Sequence, residues 1–263
     1  MLGSVKHKTG WIWYASGKHP AAKDFLEIGP PDALLQAFAG WVAGGFRQWS
    51  SRNDHKATRN SWRFWTRAAR KQHLICGVGR DSCDSFGRSF PLVVVGSGRL
   101  RKWRSHWELL PLVLDRTWQQ MEYLATKRLP NFKQLEDEVR MLPFPTDNWS
   151  ELNLDGQQTG DHNAGSDDSA TEETRLQNMI SGRSDPLVGI VPLINVSQND
   201  QPRQIAWLHE TLKNRSKQPP NAVFMGGIPG KSCLVLFKRP LRPEDFNTLW
   251  SSCPEVLSSQ PIA

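Results

Sequence analysis

The sequence predicts an α/β fold. Three observations carry that prediction. Phe90 to Val95 is a short apolar run rich in β-branched residues and bounded by Gly96 and Gly98, the pattern of a strand covered on both faces. Asp32–Trp49 and 105–126 instead space their apolar residues as amphipathic helices do. Runs of these two kinds alternate along most of the chain.

The elements follow in order. Trp11, Trp13 and Ala15 alternate with Ile12 and Tyr14, so Gly10–Ala15 is the first strand. Gly17-Lys18-His19-Pro20 breaks it, and Pro20 imposes an extended or turn geometry on His19. Pro31 and Asp32 suit the first turn of a helix carrying Leu34, Leu35, Phe38, Trp41, Val42 and Phe46; Gly44-Gly45 weakens its last turns. Trp62, Phe64 and Trp65 form a strand between basic residues, and His73–Gly79 forms another. Asp81 to Leu92 reads as a tight acidic loop feeding the central strand: Asp and Ser side chains bond back to nearby N–H groups, and Gly87 tolerates positive φ. Ser105 and Glu108 stand at capping-box spacing before a stripe of Trp107, Leu110, Leu114, Trp118, Met121 and Leu124 or Ala125, which Pro111 should kink or divide into two helices. Asn131 and Gln134 open a shorter helix to about Leu142. Leu187–Ile194 is a strand with an edge or bulge at Pro192. Ile205, Leu208 and Leu212 mark a helix, Ala222–Met225 and Ser232–Phe237 a strand pair, and Pro243-Glu244-Asp245 the start of a last helix.

Charge is unevenly distributed. Residues 1–149 hold 23 Lys+Arg against 13 Asp+Glu, whereas residues 151–200 hold nine Asp+Glu and two Lys+Arg. The second stretch lacks apolar periodicity over 153–185 and is expected to be a disordered acidic linker, 151–185, dividing an N-terminal region, 1–150, from a C-terminal one, 186–263, that completes the same domain. The basic half admits an acidic protein, a nucleic acid or an anionic surface as partner. Aromatics interleaved with Arg59, Arg63, Arg67, Arg70 and Lys71 are one route to nucleic acid, with Arg99–Arg104 as a second basic patch. The plainer reading is an ordinary strand whose rings point inward. Cys76, Cys83, Cys233 and Cys253 form no C-x-x-C pair, so buried thiols in a reducing compartment are expected. No apolar run approaches the length of a membrane span and no apolar leader follows Lys6 and Lys8, which points to a cytoplasmic protein. Zinc-protease, nucleophile-elbow, P-loop and dinucleotide-binding motifs are missing; Asp81 and Asp84 are too few to specify a metal, and no cofactor is expected.

Several segments, taken together, resemble the TagF/ImpM family of type VI secretion-associated proteins. They are Gly10-Trp11; Gly17-Lys18-His19-Pro20 with Asp24-Phe25-Leu26 and Gly29-Pro30; Trp62-Arg63-Phe64; and Asp81-Ser82-Cys83-Asp84-Ser85-Phe86-Gly87-Arg88-Ser89-Phe90-Pro91-Leu92. Ala222–Gly227, Arg239-Pro240-Leu241 and Phe246 resemble the family's closing strand, proline and helix. Asp81 stands where the family has Pro, and Lys23 where it has Gly. The resemblance implies a three-layer α/β/α sandwich around a mixed β-sheet. It also implies a non-enzymatic regulator that restrains assembly of the secretion machine by binding its forkhead-associated scaffold protein, with a phosphoprotein phosphatase of the same pathway as a further partner. The partner-binding candidates are Lys18, Asp24, Trp62, Arg63, Asp84 and Arg88. The rival reading for Asp84 and Arg88 is that they only pair inside the fold. The rival function classes are a nucleic-acid binder using the basic half, and a phosphoester enzyme using Lys18, Asp81 and Asp84.

Overall fold

A computed structural model describes residues 10–52, 59–152, 187–193, 201–216 and 218–251. Along the chain run β1 (Ile12–Gly17), β2 (Leu26–Ile28), α1 (Ala33–Ser50), β3 (Ser61–Arg67), β4 (His73–Arg80), β5 (Leu92–Arg99), α2 (Leu110–Thr126) and α3 (Phe132–Arg140). Then come β6 (Val188–Leu193), α4 (Gln201–Arg215), β7 (Ala222–Ile228), β8 (Lys231–Phe237) and α5 (Asp245–Trp250). The expected acidic linker, beyond its first two residues, and Cys253 lie outside the described residues.

The eight described strands join in one sheet, ordered β2-β1-β5-β4-β3-β7-β8-β6. The expectation of a mixed sheet is corrected: every pairing is antiparallel. The cause lies in the connections. β3, β4 and β5 follow one another as a meander, and β7 turns into β8 through Pro229-Gly230 alone. A link that short cannot return a strand parallel to its neighbour.

Side chains alternate across this sheet, as a period of two requires. Trp65, Leu74, Cys76, Val78, Leu92 and Val94 face one apolar cluster with Leu114, Trp118 and Met121 of α2, Leu135 and Val139 of α3, and Ile205 and Leu208 of α4. Trp62, Phe64, Ile75, Val93, Val95 and Phe224 face the other, with Leu35, Phe38 and Val42 of α1 and Phe246, Leu249 and Trp250 of α5. Phe64 stacks on Phe38 at 4.6 Å and on Phe224 at 5.3 Å between ring centroids. This stack joins helix, central strand and C-terminal strand, and each such ring buries about 150–250 Å².

Several sequence expectations change. Gly96 and Gly98 do not bound the central strand; β5 runs through them to Arg99. They are glycine because the rings of Trp13, on the paired strand β1, and of Trp11, just before it, lie where a Cβ would stand. Gly44-Gly45 does not loosen α1, which continues to Ser50, and Gly45 admits the Phe246 ring. Ser105 caps nothing: a 3-10 turn at Trp107–Leu109 precedes α2, and Glu108 pairs at 2.7 Å with Lys213 of α4. Of the two roles expected of Pro111 the second holds: it lies in the first turn of α2, where no N–H is needed, directly after the 3-10 turn at Trp107–Leu109, and marks the joint between the two without a kink. Asn131 caps α3 as expected, accepting Gln134 N–H, and Asp32, expected in the first turn of α1, stands one place before it as its cap, accepting the N–H groups of Leu34 and Leu35. Pro192 lies on β6, an edge strand. The three-residue strand β2 is too short to show a period.

Candidate functional site

The loop between β4 and β5 folds around one carboxylate. Asp84 is 2% exposed. Its Oδ1 accepts the backbone N–H groups of Phe86 and Arg88, both at 3.0 Å. Its Oδ2 accepts Arg88 Nε at 2.7 Å and stands 3.0 Å from Lys18 Nζ. The turn closes through Gly87 N–H donating to Asp84 O, with Gly87 at φ 79°, a conformation that costs glycine little. Burial alone would raise the Asp84 pKa. The bonds from Arg88, Lys18 and Phe86 outweigh it and hold the group at about 2. Asp84 is therefore a permanent anion at neutral pH, matched by two cations.

Lys18 reaches Asp84 because Gly17, at φ 127°, passes against the Pro91 carbonyl where no side chain fits. Ser85 N–H donates to Ala22 O at 2.9 Å, fastening the two loops together. Arg88 Nη2 donates to Lys23 O at 2.7 Å and lies 3.5 Å from Asp24 Oδ1. Lys18, Asp24, Asp84 and Arg88 thus meet at one end of the sheet, as the sequence grouped them. Arg88 and Asp24 remain largely exposed; Lys18 and Asp84 do not.

Trp62 and Arg63 do not share that surface, which corrects their placement among the binding candidates. Trp62 is 1% exposed, its ring in the α1/α5 cluster. Arg63 points to the opposite face, since neighbours in a strand do. There it bonds Glu122 through Nε and Nη2 at 2.7 Å and Asp115 at 3.0 Å. Phe64 and Trp65 are buried too, so the rings of β3 present no face for bases to stack on. Asp81 also faces inward: it accepts Asn60 N–H at 2.9 Å and Trp250 Nε1–H at 2.7 Å, anchoring α5. Among the described residues no three His, Cys, Asp or Glu side chains come together as a metal site.

Sequence reasoning missed the apolar part of this surface. Phe86 is 69% exposed at the tip of the turn, its ring 5.5 Å from the Arg88 guanidinium carbon. Phe25, 44% exposed, packs edge-on against Phe90 at 5.3 Å. The signal available was an aromatic residue between Ser85 and Gly87, in a turn where no periodic partner can cover it. His19 was missed as a clamp. It is fully buried, its Nδ1 accepts Ala21 N–H, and its Nε2 lies 3.1 Å from Leu124 O of α2. Burial lowers its pKa, and with Nδ1 an acceptor the ring is the neutral Nε2–H form.

Residues 13–142 match the model of the TagF N-terminal domain, described as type VI secretion system-associated. A solved structure, that of PA0076 from Pseudomonas aeruginosa PAO1, superposes with a TM-score of 0.53 at 18% identity, over 95% of this chain and 99% of that one. That likeness is one of fold. No curated protein matches the chain.

Proposed function

Because residues 13–142 make this chain a member of the TagF family of type VI secretion-associated proteins, we propose that it restrains assembly of that secretion machine by binding the forkhead-associated scaffold protein. It does so as a binding protein rather than a catalyst. The contact surface is the loop end of the sheet, with Phe86 as its anchor and Phe25, Arg88 and Asp24 around it. One observation supports this reading above the rest: a large aromatic ring is held in water on a turn that its own bonds make rigid. Exposed aromatic and arginine side chains on pre-organised backbone are the usual energetic centres of protein interfaces. Lys18 and Asp84 then hold the turn's shape and touch no partner. A phosphoprotein phosphatase of the same pathway is a second partner to test.

Phe86 separates binding from folding better than Arg88, whose removal also unlocks Asp84. Phe86→Ala is expected to weaken capture of the purified scaffold protein by about tenfold or more, with the melting temperature unchanged. Full-strength capture by Phe86→Ala would place the contact elsewhere on the molecule.

A further inference from the structure

At the end of the sheet away from the Asp84 loop, strand ends stand in a row. Arg99 of β5 lies opposite His73 of β4, and Leu74 opposite Arg67 of β3. Thr66 lies opposite Ala222 of β7, and Phe237 of β8 opposite both Ala222 and Val188 of β6. Arg67, Arg99 and Lys238 stand on these ends, with Arg70 and Lys71 on the turn from β3 to β4. Arg104 is close enough for its charge to act on Arg67. Arg70, Lys71, Arg99 and Lys238 are exposed; Arg67 and Arg104 are half-buried. Among the described residues no carboxylate pairs with any of these six. Asp147, nearby, is taken by Arg101. Like charges set along one edge repel one another until something negative is brought to them.

The chain carries that negative charge itself. Residues 153–174 hold Asp155, Asp161, Asp167, Asp168, Glu172 and Glu173, with no Lys or Arg among them. The described residues on either side fix where the chain leaves the fold and where it returns. Before the acidic stretch, Trp149 stacks on His106 at 5.1 Å between ring centroids, and its Nε1–H donates to Arg101 O at 2.8 Å. Asp147 pairs with the same arginine at 2.6 Å. After it, Lys238 N–H donates to Leu187 O at 2.8 Å. Departure is thus beside the end of β5 and return beside the end of β8, four strand spacings or about 20 Å apart. A chain of 34 residues, as between Leu152 and Leu187, spans up to about 110 Å. Its two ends are nonetheless both held at the row. A tether of this kind presents its acids there at an effective concentration in the millimolar range.

We propose that this row is a binding surface for an acidic peptide, and that its occupant is the chain's own stretch 153–174. Six carboxylates meet six cations, and carboxylates suit the forked donors of arginine. A nucleic acid fits the row less well. Trp65, Trp103 and Trp107 are buried, so they offer no ring face to a base. The tethered acids also repel a second polyanion. Most of these pairs form in water and are screened by salt. The row is separate from the loop surface. Arg67 ends β3, while Ser61 at its start pairs with Arg80, which leads into the loop. Six residue steps of strand put the two about 20 Å apart.

Zero-length carbodiimide coupling on the full chain at low salt, read by mass spectrometry, tests the contact directly. The acids of 153–174 are expected to couple to Lys71 and Lys238, and about tenfold less to Lys23 at the loop end. Salt at about 0.5 M should abolish the preference. Equal coupling to Lys23 and to the two row lysines overturns the proposal. A second measurement follows binding of a fluorescent polyglutamate peptide. Asp155→Asn, Asp161→Asn, Asp167→Asn, Asp168→Asn, Glu172→Gln and Glu173→Gln together should tighten it by about tenfold or more. Adding Arg70→Gln and Lys71→Gln to that variant should remove most of the gain. Unchanged affinity for polyglutamate in the acid-free variant overturns the proposal too. A labelled DNA oligonucleotide is expected to gain in the same way; equal DNA affinity with and without the six acids would assign the row to nucleic acid instead. Scaffold capture does not enter any of these readouts, so loss of one reading leaves the other standing.

Discussion

At the scale of single residues, charge state is decided by what surrounds a side chain. Asp84 keeps its charge because four donors meet it; His209 loses its charge because burial outweighs what the Trp107 backbone offers it. His209 is fully buried between the rings of Trp65 and Trp107, and burial takes its pKa from 6.5 to about 3. Both groups have depressed values, so both stabilise the fold above their ordinary pKa and cease to do so as pH falls through the folded one. For His209 that window runs from pH 6.5 down to about 3, and for Asp84 from 3.8 down to about 2. Unfolding free energy should therefore decline below pH 6.5, with a slope of up to about 1.4 kcal/mol per pH unit from a single histidine. His209→Phe should flatten that part of the curve in urea titrations at stepped pH; an unchanged slope would assign the acid sensitivity to other groups. Asp84→Asn keeps the shape of the side chain and removes its charge. Its expected effect is local: amide exchange at Phe86 and Arg88 faster by about tenfold or more, with exchange in β4 and β5 little altered.

At the scale of elements, most of the architecture was legible from period and punctuation. Asp32 and Asn131 announced helix starts, and the β-branched run before Gly96 announced the central strand. What failed did so because the deciding neighbour is remote in sequence. Gly96 looks like a strand end until Trp13, paired with it from more than eighty positions away, is seen to occupy the space of its missing side chain. Glu108 looks like a capping residue until Lys213 arrives from α4. The site divides in the same way. The Asp84–Arg88 pairing spans four residues and follows from turn chemistry. Burial of Trp62 depends on α1 and α5, and the two acids that claim Arg63 lie on α2, so neither could be read locally. The Gly96 explanation has a direct consequence: Gly96→Ala forces the Trp13 ring aside and should cost about 1–3 kcal/mol of stability, the usual penalty of overpacking. Chemical denaturation measures this, and a neutral result would mean that the ring has room to yield.

At the scale of the molecule, the family match and the folding unit do not share a boundary. The matched residues, 13–142, hold β1 from its second residue, the strands β2 to β5 and the helices α1 to α3, but none of the strands β6 to β8. In the sheet order β3 is flanked by β4 and β7, so that segment taken alone exposes the full pairing edge of β3. The exposed edge would be apolar as well as unpaired, because Phe64 loses Phe224 from one side, and the opposite face loses Val223 and Met225 of β7 and the helix α4 that covers Trp65 and Trp107. Long uncovered edges of this kind pair with other chains. The C-terminal end is further tied back by Trp250 to Asp81, and by the buried Arg239–Asp245 pair that sets the start of α5. A fragment limited to 13–142 is thus expected to aggregate or to lack a cooperative thermal transition, whereas the full chain melts as one unit. Mixing that fragment with a second spanning 186–263 should restore soluble, sheet-rich material, because the missing strands carry the complementary edge. Circular dichroism and size exclusion on the separate and mixed fragments decide the matter: a monomeric fragment 13–142 with a sharp melt would show that β1 to β5 close a core without the strands that follow.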